Sequence, residues 1–195
     1  ESANYIRFSV GKSNAATTIE LGYVALESGV FIDPLSNFDY VLSHSANTIF
    51  EKNPATFEGD GSLVKRTGPD APGELVYYYP NVNDFTVKMY ALGGFAGKIN
   101  MYASREGKQW QAVSLKNDAI EKTSANWDKT TFRADEKLSP GNNYIKLVIS
   151  NDIRVYSPMV SQVTLFRTLD PDGPLPEPVV GPEIITDTFI DWSKS

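Results

Sequence analysis

Asn143-Tyr-Ile-Lys-Leu-Val-Ile149 decides the fold. Large side chains alternate along it, and successive side chains of a strand point to opposite faces. Tyr144 opens the run, Lys146 is free to turn to solvent, and Leu147 and Ile149 fill one layer or the other. A Ser-Pro-Gly-Asn turn at 139–142 precedes it. The run is expected to be the central strand of a β-sandwich.

The same pattern recurs as Asn4-Tyr-Ile-Arg-Phe-Ser-Val10. The offset that carries Asn4 onto Asn143 also carries Gly22-Tyr-Val-Ala-Leu26 onto Ser161-Gln-Val-Thr-Leu165. Two strand-like segments thus match in register, which points to tandem domains rather than a solenoid of short units. A weaker match sets Asp187-Thr-Phe-Ile-Asp-Trp-Ser-Lys-Ser195 on Asp33-Pro-Leu-Ser-Asn-Phe-Asp-Tyr-Val41. Its offset is longer by about one linker. The expected organisation is a C-terminal hairpin of a preceding module at 1–29 and a complete sandwich at 30–168. A proline-rich linker at 169–182 and the start of a following module at 183–195 complete it. An isolated hairpin is marginal in water, so residues 1–29 are expected to pair with a separate fragment or dock on a sheet edge.

Turn signals divide the complete module at spacings of about ten residues, as in all-β sandwiches. Strands are expected near 48–50, 63–67, 73–79, 85–92, 98–104, 110–115, 129–134, 144–150 and 161–167. Lys116–Ser124 is expected to be a loop with one turn of helix. Proline lacks an N–H and favours extended backbone, so 169–182 reads as a semi-stiff spacer.

The formal net charge is −6 and the isoelectric point about 4.8. Such a chain lacks the basic stripe that displaces counterions from phosphate, so no nucleic-acid partner is expected. No apolar run is long enough to span a bilayer, so no membrane insertion is expected. There are no cysteines, which removes disulfides, thiol catalysis and thiolate zinc sites. Aromatic residues make up 12% of the chain. They serve sandwich cores and sugar-stacking platforms alike.

No catalytic residues are expected. The single histidine, His44, lies in Ser43-His-Ser45, and no G-x-S-x-G elbow accompanies it. His44 reads as a turn or strand-edge residue. Nothing singles out a carboxylate pair for glycoside hydrolysis.

Several residues stand out as binding candidates. In Phe57-Glu-Gly-Asp-Gly61 two carboxylates, Glu58 and Asp60, alternate with glycines that free backbone carbonyls. Hard cations such as Ca²⁺ take that mixture of oxygen ligands; a plain Gly-Asp-Gly turn is the other reading. Val76-Tyr-Tyr-Tyr-Pro80 puts Tyr78 on one face and Tyr77 and Tyr79 on the other. Whichever tyrosines face outward can stack on pyranose rings. Arg66, Tyr90 and Arg105 would suit an acidic sugar, since a guanidinium pairs with a carboxylate in bidentate fashion; they also fit as solvated surface residues. Trp127, in the polar segment Ala125-Asn-Trp-Asp128, is either a ligand platform or a packed ring.

Tyr102-Ala-Ser-Arg-Glu-Gly-Lys-Gln-Trp-Gln-Ala-Val113 reads as a hairpin whose turn has Gly107 at a positive φ. This S-x-E-G-x-x-W-x-x-V hairpin, the Asn-Tyr-Ile-Lys strand and the closing Val-Thr-Leu strand together resemble the galactose-binding-like β-sandwiches. That superfamily includes discoidin-type domains and many carbohydrate-binding modules. The resemblance covers most of 43–168. It implies an antiparallel jelly-roll, a hairpin tryptophan at Trp110 that usually packs, with a ligand platform as the other reading, a partly buried Trp127, and a structural Ca²⁺ at the loop of Glu58 and Asp60.

Sequence and resemblance together lead to one expectation. The chain is a non-catalytic carbohydrate-binding module that attaches to polysaccharide and acts alongside neighbouring modules of the same polypeptide. The parent is expected to be a secreted, extracellular bacterial glycan-degrading enzyme, with attachment at a cell surface open. Two other readings remain. One is a structural spacer without a ligand. The other is a fragment of the glycoside hydrolase or polysaccharide lyase itself.

Overall fold

The structure, a computed structural model, describes residues 29–150 and 156–168. The repeats at 4–10 and 22–26, the linker at 169–182 and the segment from Asp187 lie outside them.

The described chain is all-β. Its strands are β1 (Val30–Asp33), β2 (Ser43–His44), β3 (Thr48–Glu51), β4 (Leu63–Arg66), β5 (Gly73–Tyr78), β6 (Val82–Ala91) and β7 (Ile99–Ser104). There follow β8 (Gln111–Val113), β9 (Leu115–Asn117), β10 (Glu121–Lys122), β11 (Asp128–Ala134), β12 (Tyr144–Ile149) and β13 (Met159–Arg167). They form two antiparallel sheets. The larger runs β10-β11-β6-β13-β4-β3, with β1 on β13 and β9 on β11. The smaller runs β2-β5-β12-β7-β8. Among the described residues no helix is long and apolar enough to cross a membrane.

β12 is the middle strand of the five-stranded sheet, as its sequence leads one to expect. Leu147 lies opposite Leu75 of β5 and Met101 of β7. Ile145, Leu147 and Ile149 turn inward and are fully buried. From the facing sheet they meet a layer built by Phe85, Val87 and Met89 of β6 and Val160, Val163 and Leu165 of β13. Two inner faces that interdigitate in this way are the core of a sandwich.

Several elements differ from expectation: β1 and β2 are not among the expected strands, and the expected strand at 110–115 divides between β8 of one sheet and β9 of the other. Lys116–Ser124 contains no helical turn; it supplies part of β9 and all of β10. Both are edge ribbons on β11, with Phe132 opposite Asn117 and Lys129 opposite Glu121. Their side chains are almost all exposed. They therefore lack the one-sided apolar alternation that reveals a half-buried strand.

Candidate functional site

The alternation that buries Ile145 and Leu147 sends Tyr144 and Lys146 to the outer face of the five-stranded sheet. Register sets their neighbours. Tyr144 lies opposite Tyr78 on one side and Ser104 on the other, and Lys146 opposite Val76 and Tyr102. Tyr102 in turn lies opposite Ala112 of β8, just after Trp110. Four rings, Tyr78, Tyr144, Tyr102 and Trp110, therefore share one outer face with the Lys146 ammonium group.

The contacts are direct. The Tyr78 and Tyr144 ring centroids are 5.0 Å apart with planes inclined at 54°. Lys146 Nζ stands 4.9 Å from the Trp110 ring centroid and 5.2 Å from that of Tyr102. Glu74 Oε1, on the same face of β5, is 4.0 Å from that ammonium. Tyr78 is 39% exposed, and the other three rings are half-buried. The tight turn supports this surface from below. Gly107 adopts φ +73°, and a Cβ there would lie 3.3 Å from the Tyr144 ring.

This face consists of flat apolar rings beside a hydrogen-bond donor. A pyranose presents C–H groups on one face and hydroxyls at its rim, and stacks on aromatic faces while its hydroxyls take polar contacts. Lys146 supplies three N–H donors. The rings also hold the ammonium by cation–π attraction, which fixes a side chain that is otherwise mobile.

The expected site residues fall elsewhere. Tyr77 is buried, and its hydroxyl donates to Asp33 Oδ2 at 3.0 Å. Asp33 Oδ1 also accepts the Leu35 N–H at 2.7 Å. Burial raises the Asp33 carboxyl above the usual carboxylate range, against the two hydrogen bonds. It also pushes the Tyr77 hydroxyl well up, with Asp33 adding to the rise. Tyr77 thus has no surface to offer a sugar; the exposed member of the Tyr77–Tyr79 run is Tyr78. Tyr79 is half-buried and carries the Arg167 guanidinium 4.9 Å above its ring. Arg66 is fully buried, with Nη1 and Nη2 donating to the Gly68 and Ser157 carbonyls. It braces the core and has no exposed surface. Arg105 is exposed, at the β7–β8 turn.

Four other expected residues do come together, around Phe57. Trp127 packs edge-on to Phe57 with centroids 5.1 Å apart, and Phe57 packs against Tyr90 at 5.1 Å. Tyr90 is buried; its hydroxyl reaches Asp60 Oδ2 at 2.8 Å and the Phe57 carbonyl at 3.1 Å. Burial and the Asp60 carboxylate drive that hydroxyl's pKa up. Tyr90 therefore pins the loop and is closed to a sugar. Trp127 is half-buried and lies 6.3 Å from the exposed Tyr156 ring.

Asp60 Oδ1 takes the Lys88 ammonium at 2.8 Å, and Glu58 Oε2 takes that of Lys129 at 2.8 Å. Burial opposes ionisation of Asp60. The hydrogen bonds from Lys88 and Tyr90 outweigh it, so its carboxyl titrates below the usual range. The Glu58 contact likewise raises the Lys129 ammonium. Among the described residues no group of three acidic, histidine or cysteine side chains forms a metal cage. Two carboxylates each holding a lysine do not fit a Ca²⁺ centre, because a cation there would face two ammonium groups.

His44 sits in β2, stacked on Phe38 at 3.8 Å, with Nδ1 3.1 Å from Thr48 Oγ1. It is the strand-edge residue expected.

Lys146 was not expected to make a ligand surface, and Trp110 was expected foremost as a packed ring. The signal lay in parity. Tyr102, Trp110, Ala112, Tyr144 and Lys146 all fall on the strand positions opposite to the core residues. That inference needs the β7–β12 register, which a single sequence does not print.

No family model matches the chain, and no curated protein matches it. Among solved structures, it is similar to the C-terminal CBM6 of LamC, a marine laminarinase from Zobellia galactanivorans. Identity is 13% over 71% of this chain and 99% of that one, with a TM-score of 0.39. It is also similar to a β-1,3-glucan-binding CBM6 from Bacillus halodurans, at 14% identity over 66% of this chain and 90% of that one, with a TM-score of 0.39. At these values the fold rests on the strands and their pairing.

Proposed function

We propose that this chain is a non-catalytic polysaccharide-binding module. The observation that carries the reading is the outer face of the five-stranded sheet. Tyr102 and Trp110 flank Lys146 there, and the Tyr78–Tyr144 pair lies beside them on the same face. A cluster of partly exposed rings on one face suits a ligand surface better than the surface of a plain spacer. The galactose-binding-like resemblance and the similarity to CBM6 structures agree with this reading without carrying it. We place the module in a secreted, multimodular glycan-degrading enzyme, where a weak site gains from multivalent attachment beside neighbouring modules.

Affinity electrophoresis in gels containing β-1,3-glucan, β-1,4-glucan, xylan or a uronic-acid polymer tests the proposal. At least one polysaccharide should retard the protein, with equal retardation in chelator. Trp110→Ala should weaken that retardation about tenfold, the scale of one lost stacking partner. Unretarded migration through all four gels would return the chain to the spacer reading.

A further inference from the structure

β8 is the outer strand of its sheet and sends its side chains to two places. Ala112, with Trp110 just before the strand, belongs to the ring-lined face. Gln111 lies opposite Ala103, a core residue. An apolar side chain at 111 would close the sandwich at this edge. A glutamine facing a methyl group leaves it open and polar.

The opening is a cavity of about 360 Å³. Arg105, Gln109 and Gln111 line one side, and Ser139 and Asn142 the other. It adjoins a second cavity of about 310 Å³ that shares Gln111, Ser139 and Asn142 and extends past Asp135. No ring lines either one. The frame is already satisfied. Asn142 is buried and its amide donates to the Ser139 carbonyl at 2.8 Å; the buried Ser104 hydroxyl accepts the Gly107 N–H at 3.0 Å. Arg105 runs alongside Gly141, where a Cβ would lie 3.6 Å from its Nε. The exposed amides of Gln109 and Gln111 make no hydrogen bond to a described side chain.

We propose that this groove is a second saccharide site that carries the ring-lined face round the β8 edge. It takes hydroxyl-rich pyranose units by hydrogen bonding instead of stacking. Each glutamine amide offers a donor and an acceptor side by side, the pair that vicinal hydroxyls need, and Arg105 adds further donors. One residue step along β8, about 3.3 Å, separates the two sides. Trp110 and Gln111 point to opposite faces of this outermost strand, so a glycan that binds both must turn round the β8 edge. The inference rests on the glycan-binding reading above.

NMR titration of the ¹⁵N-labelled protein tests it. The probes are β-1,3-gluco-, β-1,4-gluco- and xylo-oligosaccharides, each as di- and hexasaccharide. The signals followed are the Trp110 indole N–H and the Gln109 and Gln111 side-chain amides. The hexasaccharide that binds should move both sets. In Gln109→Ala/Gln111→Ala its affinity should fall about tenfold, the scale of two or three lost hydrogen bonds, with disaccharide affinity unchanged. If the hexasaccharide moves only the indole and the double variant binds as wild type does, the groove is refuted and the face stands. If the amides move and Trp110→Ala keeps full hexasaccharide affinity, the face is refuted and the groove stands. No shift with any probe overturns both.

Discussion

Gly107 shows how much of the surface depends on single atoms. Its φ of +73° is one that L side chains avoid, and the space beside it is filled by the Tyr144 ring. Gly107→Ala should lower stability by about 1 kcal/mol or more through strain alone. It should also tilt Tyr144 away from Tyr78. Urea unfolding and the near-UV circular dichroism of the tyrosines would register the two effects separately. Leu147, with no exposed surface between the sheets, sets the other extreme. Leu147→Ala should cost about 2–5 kcal/mol, the lost transfer energy plus a cavity, and unchanged stability would contradict the core described above.

At the scale of the element, the two tryptophans separate ligand surface from scaffold. Trp110 lies on the open face over Lys146, whereas Trp127 closes a satellite cluster with Phe57, Tyr90, Leu63 and Met159. Trp127→Ala should therefore lower the unfolding midpoint, at a cost of about 2–4 kcal/mol for a half-buried ring. Trp110→Ala should leave stability within about 1 kcal/mol and weaken binding about tenfold. Thermal unfolding beside affinity electrophoresis would show whether the effects divide in this way.

The same elements show what was legible in the sequence. β12 was plain, because its apolar alternation is strict and turn residues bound it. The parity of Val76-Tyr-Tyr-Tyr79 was plain too, yet the inward face was not, since Leu75 and Val76 are both apolar. Glu74 was the usable cue, for it shares its face with Tyr78. Arg66 gave no cue at all: a buried guanidinium depends on the Gly68 and Ser157 carbonyls, and the second is far away in sequence. β9 and β10 escaped because solvent on nearly every side erases the period-2 pattern.

Across the whole molecule, acid response follows from where the carboxylates sit. Asp60 bridges the Phe57–Asp60 loop to β6 through Lys88 and Tyr90, and its carboxyl is held below the ordinary value of 3.8. Between that value and its folded pKa the unfolded chain binds the extra proton. The contribution of Asp60 is thus complete above pH 3.8 and lost as the pH falls through the folded pKa. Asp33 runs the opposite way. Its raised carboxyl takes up a proton more readily in the fold, so acidification relieves a buried charge and adds stability as the pH drops toward 3.8. Asp60→Asn keeps an acceptor for Lys88 and removes the titration. It should be less stable than wild type at pH 7, and the gap should narrow as the pH falls below about 4. Urea unfolding of both proteins at pH 7, 5 and 3 measures this directly, and a gap that stayed constant would show that the Lys88–Asp60–Tyr90 bridge does not anchor the loop.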